Sequence, residues 1–125
     1  MDTAITVIQG FLIVGFTVGG LSQLIVPYAS YTHLPFQGWA NDFKPEHIRL
    51  IGVLEVCAGV GLIISLLLGS LTMLAPLAAV GIALVMAGAM ATHLRREEYV
   101  NAVGNLVWLG LALFFAYSKL VGFAV

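Results

Sequence analysis

One carboxylate stands inside an apolar run long enough to cross a bilayer: Glu55, within Ile48 to Leu68. Placing an ionisable group that deep in hydrocarbon is costly, so such a residue marks a functional site by default. A buried carboxyl of this kind can donate a hydrogen bond when protonated, or carry a proton between partners. Arg49 lies six residues earlier, well off the face of Glu55, so it is not the obvious partner within the helix. His93, near the end of a neighbouring apolar run, is the better candidate. Gln23, Thr92, Asn101 and Asn105 complete a ligand pocket of polar side chains around the carboxylate. The competing reading is structural, because a buried Glu held by His and Asn can serve only to fix helix register.

Other reactive residue types carry less. His33 and His47 belong at the interface, solvated. No pair among the three histidines and the carboxylates has a recognised ligand spacing, so no metal is expected. Cys57, two residues from Glu55, falls on another face and reads as a small packing residue. Arg95, Arg96, Glu97 and Glu98 read as a solvated turn. No complete catalytic set is visible, so the residues leave catalysis itself open.

The elements that hold these groups must be membrane helices. Hydrophobic residues make up 61% of the 125 and charged residues 9%, against about 45–50% and about 25% in soluble domains. Such a chain cannot cover a water-facing surface, and its first partner is the lipid bilayer. A net charge of -1 without clustered Lys and Arg excludes a nucleic-acid footprint. The single cysteine excludes an intramolecular disulfide and any dithiol electron shuttle within the chain. The opening Met1-Asp2-Thr3 lacks the basic stretch of a signal peptide, so the first apolar segment is expected to stay as a helix.

The expected fold is all-α: one domain, a transmembrane four-helix bundle running up-down-up-down, with spans at about 4-28, 45-68, 73-93 and 99-117. On the first span Gly15, Gly19 and Gln23 share a face, small residues that allow close helix approach. Pro27 ends that span. On the second, Ile48, Gly52, Glu55 and Gly59 share a face, which turns Glu55 inward. Gly69 to Thr72 forms a tight turn into the third span, where Ala79, Ala83, Ala87 and Ala91 make a second close-packing stripe. Asn101 and Asn105 stack on the fourth span, with Trp108 near the same face, and no appended soluble domain is expected. The long connection, 29-44, carries Tyr31, Phe36, Trp39 and Phe43. It reads first as an interfacial aromatic belt, and second as a lid over one mouth of the bundle.

Depth brings the polar groups together. Gln23 lies about 6–8 Å inside its helix end and Asn105 about 8–9 Å inside the start of the fourth span, at 1.5 Å per residue. Glu55 lies at a comparable depth, and Thr92 and His93 close the third span on that side. The opposite half reads as almost purely apolar. Lys44, Arg49, Arg95 and Arg96 flank the polar side and Lys119 the other. The positive-inside rule then puts the long loop in the cytoplasm and both termini outside. A multi-pass protein of a bacterial inner (plasma) membrane is expected.

Certain runs carry a family resemblance. Ile48-Arg49-Leu50-Ile51-Gly52-Val53-Leu54-Glu55 after a lysine entry resembles the second-helix signature of DoxX-like membrane proteins. So do Leu74-Ala75-Pro76-Leu77-Ala78-Ala79-Val80-Gly81, Met86, and the helix end Ala91-Thr92-His93-Leu94-Arg95-Arg96. Asn101 to Phe115 is similar to the family's last span, so the likeness covers about residues 44 to 117. It implies a four-helix membrane bundle and carries over Glu55, Thr92 and His93 by position. The family takes its name from a subunit of a thiosulfate:quinone oxidoreductase, and more distant relatives act as redox partners or assembly and cargo chaperones. The cysteine pairs of similar thiol oxidoreductases are absent here.

Three functions compete. The first is a non-catalytic accessory or assembly subunit that binds a small lipophilic ligand or a partner helix in a groove with one polar end. The second is a membrane subunit of a quinone-linked oxidoreductase, with Glu55 and His93 passing protons while a partner supplies the electrons. The third is small-solute or proton transport, for which the chain is short and lacks an internal repeat. No cofactor is expected within the chain itself, beyond a bound quinone or lipid. A membrane-protein partner or a homo-oligomer fits the first two readings.

Overall fold

A computed structural model of the protein describes residues 2–68 and 73–124. Four long helices form the bundle: α1 (Asp2–Ile25), α3 (Pro45–Leu68), α4 (Leu74–Arg95) and α5 (Tyr99–Ala124). Each is long and apolar enough to cross a membrane. A short helix α2 (Tyr28–Tyr31) and a 3-10 turn over Gly38–Asp42 fill the connection from α1 to α3. The expected turn at Gly69 to Thr72 lies outside the described residues.

The first span ends earlier than expected, at Ile25 rather than near residue 28. The residue before a proline is disfavoured in the α conformation, and Pro27 itself has no N–H to give. Pro27 instead sits extended, at φ -56° and ψ 141°, and starts α2. Pro45 opens α3, where its missing N–H costs nothing, and the Lys44 carbonyl accepts the amides of His47 and Ile48. The fourth span runs past residue 117, to Ala124.

Helix α1 packs chiefly on α3 and α4 on α5, while α3 meets α4 less and α1 meets α5 least. Glycine sets the α1–α3 crossing. A Cβ on Gly20 would stand 2.7 Å from the Gly52 carbonyl oxygen, and one on Gly52 would stand 2.9 Å from that of Gly20. The two backbones touch there, as small-residue pairs allow in membranes. The core filling the end away from the long loop includes Leu12, Leu62, Ala79, Ala112 and Phe115, all buried.

Two packing expectations need correction. Ala79 and Ala83 are buried, but Ala87 and Ala91 are exposed, so the alanine stripe packs only along its first half. A four-residue step of 400° gains about 40° per turn on a 3.6-residue helix, so the stripe drifts off the interface. Cys57 is exposed on the lipid flank rather than packed.

Candidate functional site

The connection between α1 and α3 is folded, with a core of its own. Tyr31, Ala40 and Ile48 are buried together, with Val26, Tyr28, Trp39 and Phe43 packed around them. The Tyr28 hydroxyl lies within hydrogen-bond reach of two carbonyls, Ala40 at 3.1 Å and Phe43 at 2.7 Å. Leu34 to Gln37 forms a turn in which the Gln37 amide donates to Leu34 O at 3.1 Å. Pro35 and Phe36 occupy its centre, and Phe36 takes φ 66°, the position a type II turn gives to glycine. This left-handed residue aims its carbonyl at α5, where Asn101 Nδ2 donates to it at 2.8 Å. The segment is thus more than a belt. It makes a roof over the end of the bundle.

A second fastening comes from the α4–α5 turn. Glu97 takes φ 60° just past the end of α4, its amide donates to Leu94 O, and the Glu98 amide donates to His93 O at 2.8 Å. This is a Schellman arrangement with Glu where glycine is usual. It folds Glu98 back so that its Oε1 meets His93 Nδ1 at 2.8 Å. Arg96 Nη1 bonds Asp42 of the roof at 2.7 Å, and its Nε lies 3.2 Å from Glu98 Oε1. The bond to His93, helped by Arg96, holds the Glu98 carboxyl below its ordinary value. Residues 95 to 98 are therefore more than a solvated turn: Arg96 and Glu98 tie roof to bundle. The expected pairing of His93 with Glu55 gives way to one with Glu98, because the turn delivers that carboxylate to the imidazole first.

Under the roof lies a cavity of about 660 Å³. All six polar residues singled out from the sequence line it: Gln23 from α1, Glu55 from α3, Thr92 and His93 from α4, Asn101 and Asn105 from α5. Glu55 is buried beside Gly19, where an added Cβ would come within 3.3 Å of Oε2. Gln23 shares the cavity wall with it. Thr92 turns its hydroxyl back to Gly88 O at 3.1 Å, which leaves its methyl group for the wall.

Residues from the roof complete the cavity, and their roles are not visible in the helical periodicity. Gln23 Nε2 donates to the Tyr31 hydroxyl at 3.3 Å, Tyr31 donates to Gln37 Oε1 at 3.0 Å, and Trp39 Nε1 donates to the same oxygen at 2.7 Å. Burial, countered by the Gln23 bond, pushes the Tyr31 phenol above its ordinary value, so it stays a donor. The Trp39 ring meets Tyr31, Phe43 and His93 edge-on. The signal for this chain lay in the aromatic spacing of the connection. Trp108 forms part of the wall, seated over Gly15, where a Cβ would come within 2.6 Å of the indole. Gln9 was also missed: it is buried in the other half of the bundle and donates to Leu62 O at 2.9 Å. Among the described residues no group of three His, Cys, Asp or Glu is placed to hold a metal ion.

Four apolar helices enclosing a roofed, polar-ended cavity define a multi-pass membrane bundle. The chain belongs to the DoxX-like family, whose model matches residues 7–115 and so takes in the first span and the roof as well as the later helices. No curated protein matches the chain. No solved structure matches it either.

Proposed function

We propose that this protein is a non-catalytic accessory subunit of the membrane that holds a small lipophilic molecule in the cavity beneath the roof. The observation that carries the reading is the cavity itself. Its volume of about 660 Å³ falls within the roughly 300–1,000 Å³ usual for small-molecule sites. Its lining combines the polar groups of Gln23, Glu55 and Asn105 with the hydrocarbon of Leu84, Val85 and Met86. Leu84, Val100 and Gly104 line it and are exposed, so it opens between residues that face lipid. A ligand would enter from the bilayer tail-last, with its head group against Glu55, Gln23 and Asn105. The basic residues beside the roof support an orientation with the roof in the cytoplasm.

Native mass spectrometry of the protein in lipid nanodiscs tests this. Gly104 lines the cavity and has open space around an added Cβ, so Gly104→Leu puts a side chain at the cavity wall without a backbone clash. The wild type should retain a small molecule that Gly104→Leu loses. A retained quinone would make this the quinone-holding subunit of an electron-transfer pair. Bare protein in both, held within a larger assembly, would overturn the ligand reading in favour of a structural subunit.

A further inference from the structure

The charge around the cavity is one-sided. Glu55 is the one acidic residue in its lining, and neither lysine nor arginine contributes to it. His93 is engaged by Glu98 at 2.8 Å. Arg96 is engaged by Asp42 and Glu98. Arg49 is exposed and lines a separate, smaller cavity. The buried carboxyl therefore has no cationic partner among the described residues, and out of water it holds its charge only when something positive sits against it.

The cavity that Glu55 lines is rich in aromatic residues instead. Tyr31, Phe36, Trp39, Phe43 and Trp108 all line the cavity. Aromatic rings carry negative faces and attract cations, most strongly when water is excluded. A third observation concerns hydrogen bonding. Gln23 lines the cavity, is buried, and leaves its Oε1 without any donor. Its amide already donates to the Tyr31 hydroxyl at 3.3 Å. The wall thus offers a carboxyl that a cation would keep ionised, aromatic rings and a free acceptor, and it suits a donor that is positive. A ketone or quinone oxygen supplies neither.

We propose that the cavity takes a lipophilic organic amine in its cationic form. The ammonium group sits against Glu55 beneath the aromatic roof and gives an N–H to Gln23 Oε1. The hydrocarbon tail lies along Leu84, Val85 and Met86. This rests on the reading of the cavity as a small-molecule site and adds the chemical class of its ligand.

Three twelve-carbon probes separate head group from tail: dodecylamine, dodecanol and dodecanoate, each titrated at neutral pH into nanodisc-held protein and read by native mass spectrometry. Nanodiscs without protein set the baseline for partition into lipid. The amine should be retained at least about tenfold more tightly than the alcohol, and the carboxylate no better than baseline. Glu55→Gln should bring the amine and alcohol to within about twofold of each other. Trp39→Leu, outside the spans, should weaken the amine roughly fivefold and the alcohol less. This second variant keeps the test decisive if Glu55→Gln fails to fold, which its melting profile reports. Equal retention of amine and alcohol, or a preference for amine that survives both substitutions, overturns the head-group assignment and leaves the cavity as a ligand site. If none of the three exceeds baseline, the small-molecule reading falls with it.

Discussion

Gln9 and Gln23 lie on one helix, both buried, and their surroundings differ in kind. Gln9 gives its amide to the Leu62 carbonyl at 2.9 Å within the well-filled half of the bundle. Gln23 gives its amide to a tyrosine of the roof and keeps an unpaired oxygen on a cavity wall. The first side chain is spent on joining two helices. The second leaves an acceptor open on the cavity wall. Buried polarity therefore means different things at the two ends: at one it is part of the packing, at the other it lines empty space.

Substitutions can sharpen that contrast. Phe115 is fully buried in the filled half, so Phe115→Ala should lower stability by about 3–5 kcal/mol in a detergent-unfolding titration. Asn105→Leu at the cavity wall should stay within about 0.5 kcal/mol of wild type, as a half-buried side chain facing open space does. If the two cost the same, the hollow end is packed after all. Gly20→Val drives a side chain into the Gly52 carbonyl and Val56, and should cost about 2–3 kcal/mol in the same titration. Its damage should fall on the α1–α3 pair, sparing the α4–α5 pair in hydrogen exchange.

The roof should respond more gently. Arg96 and Asp42 are partly exposed, so Arg96→Ala should cost only about 0.5–1 kcal/mol. Hydrogen exchange should nevertheless quicken across residues 36–43 while the helices hold. Acid should act in the same place with a smaller effect. Glu98 binds protons less readily folded than unfolded, because His93 and then Arg96 favour its charged form. Its contribution is therefore complete above the ordinary carboxylate range and fades as pH falls through the lowered folded value. Trp39 emission, followed downward from neutral pH, should stay constant until that acid range and shift only there. A shift beginning near neutrality would place the control elsewhere.

The sequence made the bundle readable, because it depends on helical spacing and on the cost of burying polar groups in lipid. Expected helix ends put Gln23, Glu55 and Asn105 at one depth, yet α1 ends at Ile25, so they stand two, ten and six residues from the ends of their helices. Partners were harder. His93 bonds Glu98 because Glu97 adopts a left-handed conformation, and nothing in a Glu-Glu pair announces that. The roof's chain from Gln23 through Tyr31 to Gln37 and Trp39 follows no period, since its bonds join a helix, a short helix and two turns. Ala87 and Ala91 misled because a four-residue stripe of small residues drifts around a straight helix. Gln9 looked like one polar residue near a chain end. Only its neighbours reveal that it is buried.

Cys57 has a practical bearing. It is the chain's single thiol, it is exposed, and it stands two residues from Glu55 along α3. Every molecule therefore carries one built-in attachment point on its outer flank, level with the carboxylate but turned away from it. A probe placed there reports the bilayer depth of the Glu55 layer while leaving the cavity untouched.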